Sequence, residues 1–423
     1  MSWALFIVGV ASLLVMLHSH RPLRWPGTLV VQAWIASWLV IELGIHVAVA
    51  VTGAATCLAL AGGLDGPNAA WGAAGLAMSA VAALGLAYHG WRARHTARQV
   101  DDALREAFGD DPLLIADDGG DDDRPRALRI ARILPIRHPQ VERTGSLPYS
   151  AGGRRMTLDV YRRAGRRRGD ESTGRPVLLY VHGGGWVIGN KRQQGLLTVN
   201  HLAARGWVCF SINYRLSPRA TFPEHIIDVK RALCWVKEHA ADYGGDPDFV
   251  VICGGSAGAH LAALTALTPG DLEYQREHPD SDTSVQGCVG YYGVYDFCDR
   301  HGHWPHRAFR LLLEQAIMKC RFDRARDSFE RASPIARVGD HAPPFFLLHG
   351  DRDNLSPVDE SRRFADALRA VSRHPVAYAE LAGAQHAFEL LPSVRSLAAV
   401  DAVGRFCQII YARHLEARER ARA

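Results

Sequence analysis

The residues most able to do chemistry are a serine, a histidine and an acid that each follow an apolar segment. The serine is Ser256 in "VVICGGSAGAHLAAL", where small neighbours permit a sharp turn between a strand and a helix. A serine hydroxyl becomes nucleophilic when a histidine takes its proton and an acid orients that histidine. The same pattern also occurs where a serine simply caps a helix. The role of Ser256 therefore depends on whether the chain also supplies the histidine and the acid. We predict that Ser256 is a nucleophile.

Three histidines downstream of Ser256 could act as the base. His374 precedes a predicted strand and His414 lies in the last predicted helix, whereas His386 directly follows the strand predicted over residues 376–381. A base in this kind of site is expected in a loop after a late strand. The sequence therefore favours His386.

The acid is left open by the residues alone. "FFLLHGDRDNLSP" ends a predicted strand and offers Asp351 and Asp353, and Asp296 follows the strand that ends in "YYGVYDF". An isolated acid at a strand end usually caps a turn, so the ordered series of serine, acid and histidine carries the prediction.

A glycine-rich loop, "YVHGGGWVIGNK" at residues 180–191, follows another apolar strand. Attack on an ester carbonyl creates an oxyanion, which backbone N–H groups must meet at close range. Glycines permit that approach, and Ala257, directly after the nucleophile, adds a further N–H donor. A phosphate-binding loop is the alternative, but the Lys-Ser/Thr ending and the G-x-G-x-x-G pattern are both missing. We expect His182 to brace this loop.

These residues need a sheet that presents them at one edge. Nearly continuous apolar strands alternate with helical periodicity after residue 145, which is typical of a mostly parallel sheet covered on both faces. Sites in such sheets form beyond the carboxyl ends of the strands. The predicted strands are residues 177–182, 207–213, 249–253, 285–291, 345–349 and 376–381.

The ordered motifs resemble the α/β-hydrolases of the hormone-sensitive-lipase type and the neighbouring bacterial carboxylesterases and feruloyl-esterase-like enzymes. One difference is Gly255, where hormone-sensitive-lipase relatives often carry an aspartate. "SAGAH" after "YGGDP" is also similar to the membrane-bound isoprenylcysteine methylesterases. The motifs are "HGGGW" (182–186), "NYRLSP" (213–218), "YGGDPDFVVICGGSAGAHLAAL" (243–264), "LLHGDRDNLSP" (347–357) and "GAQHAF" (383–388).

The resemblance implies an α/β-hydrolase catalytic domain over residues 145–415, with a cap insertion around 296–337. It selects Asp353 as the acid beside Ser256 and His386, and it requires neither a metal nor a cofactor. The oxyanion hole that it implies consists of Gly184, Gly185 and Ala257.

The cap segment contains a group of polar and aromatic side chains around Trp304. The histidines could suggest a metal site, but we favour a polar-aromatic lid, since serine-dependent hydrolysis needs no metal. The histidines of this group are His301, His303 and His306.

Residues 1–91 differ from the rest in being strongly apolar. Runs over 3–17, 28–62 and 69–88 predict a membrane-spanning helical region, with a buried helical hairpin of a soluble protein as the alternative. Glu42 and His46, four residues apart, are expected to bond each other or to face a neighbouring helix; an intramembrane functional pair is the alternative. Tryptophans near the ends of the runs, as in aromatic belts, are Trp25, Trp71 and Trp91.

Residues 92–144 are predicted to be a charged linker with a short helix over 100–108 and an acidic segment over 117–123. Arginines flank the apolar runs, whereas the link "GLDGPN" between the second and third runs has no basic residue. Because basic residues favour the cytoplasmic side, we expect a cytoplasmic catalytic domain. The flanking arginines are Arg21, Arg24, Arg92, Arg94 and Arg98.

Composition and charge narrow the classes of function and of partner. The chain has 423 residues and a net charge of +5 without a basic stripe, which argues against nucleic acid as a partner. Its eight cysteines are scattered without a CxxC pair, as in buried reduced thiols. We expect a membrane-anchored serine carboxylesterase or lipase that acts on small-molecule or lipid esters. The alternatives are an isoprenylcysteine-methylesterase-like or arylformamidase-like hydrolase, or a non-catalytic ligand receptor.

Overall fold

A mixed sheet forms the centre of the catalytic part of the chain. The computed structural model describes residues 1–23, 29–114, 130, 138–165, 174–304 and 307–423. Within these residues the strands are β1 Val141–Pro148, β2 Thr157–Arg163, β3 Arg175–Val181, β4 Val208–Ile212, β5 Gly245–Gly255, β6 Gly287–Tyr291, β7 Phe345–Gly350 and β8 Val376–Leu381. They form an eight-stranded sheet in the order β1-β2-β4-β3-β5-β6-β7-β8.

Strands β3 to β8 are parallel, whereas β1 and β2 pair antiparallel at one edge. The six predicted strands are present within a few residues of their expected bounds, and the α/β-hydrolase fold is confirmed. Strands β1 and β2 were not predicted. Most residues of β1 are exposed, so its sequence "VERTGSLP" lacks the apolar run that marks the buried strands.

Helices cover both faces of this sheet. The helices after β2 are α6 Leu196–Ala204, α7 Glu224–His239, α8 Ala257–Leu267, α9 Ala308–Leu312, α10 Arg326–Arg331, α11 Asp359–Val371 and α12 Val394–Arg422. Those before β1 are α1 Ser2–His20, α2 Val30–Glu42, α3 Gly44–Leu58, α4 Ala69–Ala93 and α5 His95–Phe108. Shorter 3-10 and π segments are Ala59–Gly63, Pro112–Leu114, Gly153–Arg155, Ala240–Tyr243, Leu313–Ile317, Phe322–Arg324 and Pro334–Arg337.

Two apolar cores lie on opposite faces of the sheet. Side chains of α7, α8 and α11 form one, and side chains of α5, α6 and α12 form the other. Helix α5 contains the predicted helix of the linker, and its Phe108 packs edge-on against Phe406, with 5.8 Å between ring centroids. The predicted acidic segment over 117–123 lies outside the described residues.

The apolar N-terminal region is a helical bundle with close backbone contacts. A side chain at Gly9 of α1 would collide with the backbone of Gly75 in α4. Ser19 Oγ and His89 Nε2 are 2.8 Å apart further along the same two helices. Because both contacts advance in the same direction, α1 and α4 run parallel.

Helix α3 runs the opposite way. It begins at Gly44, against the backbone of Leu86, and the following π-helical turn ends at Gly63, against Gly72 near the start of α4. By length and composition, three segments could cross a membrane: Ser2–His20, Gly44–Gly63 and Ala69–Phe108. Trp25 and Arg24 lie outside the described residues.

The apolar run over 28–62 is not one helix. It breaks at Leu43, whose backbone leaves the helical region at φ −99° and ψ 20°. Glu42 and His46 therefore lie on different helices. The expected Glu42–His46 hydrogen bond is wrong, but the other expectation, that Glu42 faces a neighbouring helix, is confirmed. Glu42 instead pairs with Arg395 and accepts a hydrogen bond from Ser393, both in the catalytic part of the chain.

All eight cysteines lie within the described residues and are free thiols. Six are buried, as expected, but Cys320 is half-buried and Cys57 is exposed on α3. The expectation of burial is therefore wrong for Cys57, because that face of the apolar helix is not covered by protein.

Candidate active site

Ser256 occupies the sharp turn between β5 and α8. Its φ of 55° and ψ of −122° lie in a sparsely populated region, which costs about 1–3 kcal/mol. A side chain at Gly258 would collide with the carbonyl of Val181, and one at Gly254 with the backbone of Gly258. The small neighbours thus allow a turn that holds the serine at the carboxyl end of the central strand.

His386 lies beside Ser256 in the loop after β8. The distance between Ser256 Oγ and His386 Nε2 is 2.9 Å, and His386 Nδ1 is 2.5 Å from Asp353 Oδ2. With the proton on Nδ1, His386 donates to Asp353 and accepts from Ser256. The three predicted residues are thus brought together in the order that proton transfer requires.

Asp353 is buried and well supplied with donors. Its Oδ1 accepts the N–H groups of Leu355 and Ser356, both at 2.8 Å. Burial alone would raise the pKa of Asp353, but the charge of His386 and hydrogen bonds from His349 and His386 outweigh it and hold the pKa well below its ordinary value. The carboxylate therefore stays ionised next to His386.

The other candidate acids lie elsewhere. Asp351 accepts the N–H of Gly383 at 2.6 Å and pairs with Arg92 of α4 at 3.3 Å. Asp296 accepts the N–H of Cys298 at 3.0 Å and pairs with Arg300 at 3.1 Å. Asp296 thus serves a local turn, whereas Asp351 links the turn after β7 to the loop after β8 and to α4.

The other two candidate histidines also lie away from Ser256. The ring of His414 packs near Phe249 in the first half of β5, with 5.0 Å between centroids. His374 lies in the turn before β8, where its carbonyl accepts from Ser372. Neither position suits a base for a serine at the carboxyl end of β5.

The glycine-rich loop after β3 lies against the serine. A side chain at Gly183 would come within 3.1 Å of Ser256 Cβ, and the N–H of Gly183 already donates to Gln194 Oε1 at 2.6 Å. Gly184 and Gly185 adopt φ of 113° and 58°, which favours glycine. Among the described residues, no hydrogen bond uses the N–H groups of Gly184, Gly185 or Ala257. These are the N–H groups predicted to receive an oxyanion.

His182 packs within the loop. Its Nδ1 donates to the carbonyl of Gly183 at 2.7 Å, and its ring stacks on Tyr214, with centroids 4.4 Å apart. Burial lowers the pKa of His182 to about 4, although its bond to Gly183 opposes the shift. A neutral, stacked histidine suits the predicted brace.

Side chains of the predicted cap segment contact the glycine-rich loop. The buried Trp186 contacts Phe297 and Phe309, with ring centroids 5.2 and 6.4 Å apart. Trp304 stacks edge-on against Phe309 and donates its indole N–H to Glu360 at 2.8 Å.

The rings of His301 and His303 are 5.6 Å apart, and His306 lies outside the described residues. Within the described part of the chain, no group of three or more histidine, cysteine or acidic side chains is placed to hold a metal ion.

Comparisons with known proteins decide the family. A family model described as BD-FAE matches residues 158–368. Esterase LipQ of Mycobacterium tuberculosis (strain ATCC 25618 / H37Rv) is 42% identical over 334 residues, which cover 78% of each chain. The probable carboxylic ester hydrolase LipM of the same organism is 39% identical over 96% of this chain and 93% of its own. The chain belongs to the α/β-hydrolases, in the hormone-sensitive-lipase-like carboxylesterase group.

The carboxylesterase assignment agrees with solved structures. A thermophilic esterase of the Planctomycetes species Thermogutta terrifontis, Est2, superimposes with a TM-score of 0.52 at 25% identity, over 64% of this chain and 92% of its own. The match to LipM covers 96% of this chain and therefore includes most of the apolar N-terminal region. The enzyme is a carboxylic ester hydrolase.

Several residues of this carboxylesterase site were not predicted. Tyr292 packs on His386, with ring centroids 4.4 Å apart, and its hydroxyl donates to the buried Glu389. A side chain at Gly255 would come within 3.0 Å of the Tyr292 hydroxyl, so Tyr292 lies close to the space that a side chain at position 255 would enter. His349 supports Asp353 with its Nε2 at 3.1 Å. Tyr292 follows the "GY" of β6 and His349 is part of a quoted motif, so position at a strand end was the available signal.

Proposed function

We propose that the protein is a membrane-anchored serine carboxylesterase that works through an acyl-enzyme intermediate. The observation that carries the proposal is the hydrogen-bonded series from Ser256 Oγ through His386 to Asp353, at 2.9 and 2.5 Å. It lies beside the glycine-rich loop, whose N–H groups at Gly184 and Gly185 have no partner among the described residues.

In the proposed reaction, His386 Nε2 takes the hydroxyl proton as Ser256 Oγ attacks the carbonyl carbon of the ester. The N–H groups of Gly184, Gly185 and Ala257 stabilise the oxyanion. The tetrahedral intermediate collapses when the C–O bond to the alcohol breaks and His386 Nε2 protonates the departing oxygen. Asp353 stays ionised throughout and stabilises the imidazolium.

Deacylation repeats these steps with water. His386 removes a proton from the water as its oxygen attacks the acyl carbon, and the same proton returns to Ser256 Oγ when the acid leaves. No metal or cofactor is needed at any step, because the chain supplies nucleophile, base and oxyanion donors.

Replacement of the nucleophile tests this proposal. Ser256→Ala should lower kcat for ester hydrolysis by about 10⁶, leaving the background that binding and the oxyanion donors support. The assay uses purified protein and esters of graded acyl length, with a prenylcysteine methyl ester and an arylformamide as further substrates to separate the alternative hydrolases. Ser284→Ala, a change of the same kind in a surface turn, is the control. Activity of Ser256→Ala near that of the control would refute the proposal.

We also infer that the bundle crosses the membrane and that the catalytic part faces the cytoplasm. Three segments are long and apolar enough to span, and α1 and α4 run parallel with their C-terminal ends together. Arg21 follows α1, and Arg92 and Arg94 end α4 at that same end, whereas "GLDGPN" lies at the other end. Basic residues favour the cytoplasmic side of a membrane.

Protease protection measures this orientation. Protease added to intact spheroplasts should leave the catalytic part uncut until the membrane is opened with detergent. A periplasmic protein serves as the control for access. Digestion before lysis would contradict the orientation and leave the enzyme assignment unaffected.

A further inference from the structure

Helix α2 of the apolar N-terminal region lies directly on the loop that carries His386. Trp34 and Trp38, one turn apart on α2, donate their indole N–H groups to the backbone carbonyls of His386 and Ala387, at 3.0 and 2.8 Å. Side chains four residues apart share one face of a helix. Two consecutive carbonyls of the loop are therefore held by one face of α2.

The loop needs such support at this point. Ala387 adopts φ of 65°, a left-handed conformation that is uncommon for a residue with a side chain. The ring of Trp34 also lies edge-on to the imidazole of His386, with centroids 6.0 Å apart. Helix α2 thus fixes both the backbone and one side of the ring of His386.

A glutamine links the same helix to the loops of both His386 and Asp353. Gln385 Nε2 donates to Ser37 Oγ of α2 at 3.0 Å. Its Oε1 accepts the N–H of His386 at 2.8 Å and the N–H of Asn354 at 3.0 Å. A movement of α2 is therefore transmitted to His386 and to Asn354, the neighbour of Asp353.

The far end of α2 is anchored as well. Glu42, its last residue, forms a buried ion pair with Arg395 at the start of α12, and Ser393 Oγ donates to Glu42 at 2.7 Å. Removal of one partner of a buried ion pair strongly destabilises a folded protein. The Glu42–Arg395 pair therefore fixes α2 on the catalytic part of the chain.

We propose that Trp34 and Trp38 are positioning residues that hold His386 in line with Ser256 and Asp353. The N-terminal region is then a structural part of the active site as well as a membrane anchor. The inference rests on the proposed role of His386 as the base. Displacement of a catalytic group by about 1 Å can cost 10²-fold in rate, so the loss of these contacts should be visible in kcat.

The test replaces the two N–H donors while retaining aromatic rings. The full-length double variant Trp34→Phe/Trp38→Phe should lower kcat about tenfold or more, with KM changed less than about twofold, because each lost hydrogen bond is worth roughly a factor of 2–10. Trp71→Phe is the matched control. Trp71 stacks on Trp3 at the other end of the bundle, with centroids 5.1 Å apart, and contacts no part of the site.

The split between kcat and KM separates positioning from general stability. The thermal midpoint of the double variant in detergent should fall only by the amount that the loss of two hydrogen bonds explains. Its kcat should be lower at a temperature at which all variants are folded. A double variant with kcat equal to that of Trp71→Phe would overturn the proposal.

If the double variant does not fold, Ser37→Ala decides the question. It removes the acceptor of Gln385 Nε2 and the hydroxyl that donates to the carbonyl of Trp34 at 3.1 Å, and it should lower kcat about threefold or more; unchanged kcat counts against the proposal. The two proposals fail differently. Full activity of Ser256→Ala contradicts the serine mechanism, whereas an inactive Ser256→Ala beside fully active tryptophan variants contradicts only the positioning role.

Discussion

Two regions of the molecule hold His386, and they differ in how the sequence encodes them. At the carboxyl edge of the sheet, Ser256 and Asp353 lie in short turns with small or polar neighbours, and each turn has a local pattern. On the other side, α2 reaches the same loop with Trp34 and Trp38, more than 300 residues away along the chain. The apolar composition of α2 indicates a membrane segment and says nothing about its partner. A site can therefore be half local motif and half long-range packing.

If the site is divided in this way between the sheet edge and α2, substitutions at the carboxyl edge of the sheet should give the largest losses of kcat. Asp353→Asn should lower kcat on the order of 10⁴, because an amide at this position favours the wrong tautomer of His386. The change preserves side-chain volume, so the fold should be retained. Steady-state kinetics on a soluble ester measures the loss.

The other acids provide matched controls for this substitution. Asp351→Asn weakens only the contacts with Arg92 and Gly383, and Asp296→Asn affects a turn near Arg300. Both should keep kcat within about tenfold of the parent. A severe loss of kcat in either control, together with a mild loss in Asp353→Asn, would show that Asp353 is not the acid.

Substitutions in the glycine-rich loop should give the next largest loss of kcat. Gly184→Val should lower kcat by roughly 10² or more, because the side chain intrudes on Ile188 at a φ that favours glycine and moves the oxyanion donors. Gly270→Val also places valine at a positive φ, 70°, but in open space away from the site, and should leave kcat unchanged. Equal kcat in the two folded variants would remove the loop from the mechanism.

The smallest expected effect concerns acid stability of the sheet region. Burial lowers the pKa of His182 and His225 to about 4 and of His260 to about 3, from an ordinary value of 6.5. Below pH 6.5 the unfolded chain takes up protons that the folded chain refuses, so stability is lost as the pH falls from about 6.5 toward 4.

Thermal midpoints measured between pH 7.5 and 4.5 test this dependence. His225→Gln should be less stable than the parent at neutral pH but should lose less stability on acidification. His374→Gln, at an exposed turn, should follow the parent at every pH. A parent protein whose midpoint is constant over this range would contradict the burial of neutral histidines.

The sequence was most informative where structure is local. Strands β3 to β8 are buried on both faces and read as apolar runs, and Ser256 and His386 follow from the turns at their ends. The residues alone left the acid open among three aspartates, and the family resemblance selected Asp353. Within the described residues, the edge strand β1 pairs only with β2 and is mostly exposed, so it lacks that signal. Strand β2, "TLDVYRR", is buried over only four residues, and charged residues interrupt its apolar run.

The interface of α2 could not be predicted from local pattern. The break at Leu43 involves no proline, and Glu42 finds its partner Arg395 only in the folded chain. Tyr292 could be placed at the end of β6, but its packing on His386 depends on the relative positions of two loops. Such contacts are set by tertiary structure, which periodicity does not encode.

The central claim is that Ser256 is the nucleophile activated by His386. The most direct measurement is to trap the enzyme with a fluorophosphonate ester and locate the adduct by peptide mass spectrometry. If Ser256 is the nucleophile, a single adduct should form on Ser256, rapidly in the parent and at a rate reduced by orders of magnitude in Asp353→Asn. An adduct on another residue, or an inhibited enzyme in which Ser256 is unmodified, would contradict it.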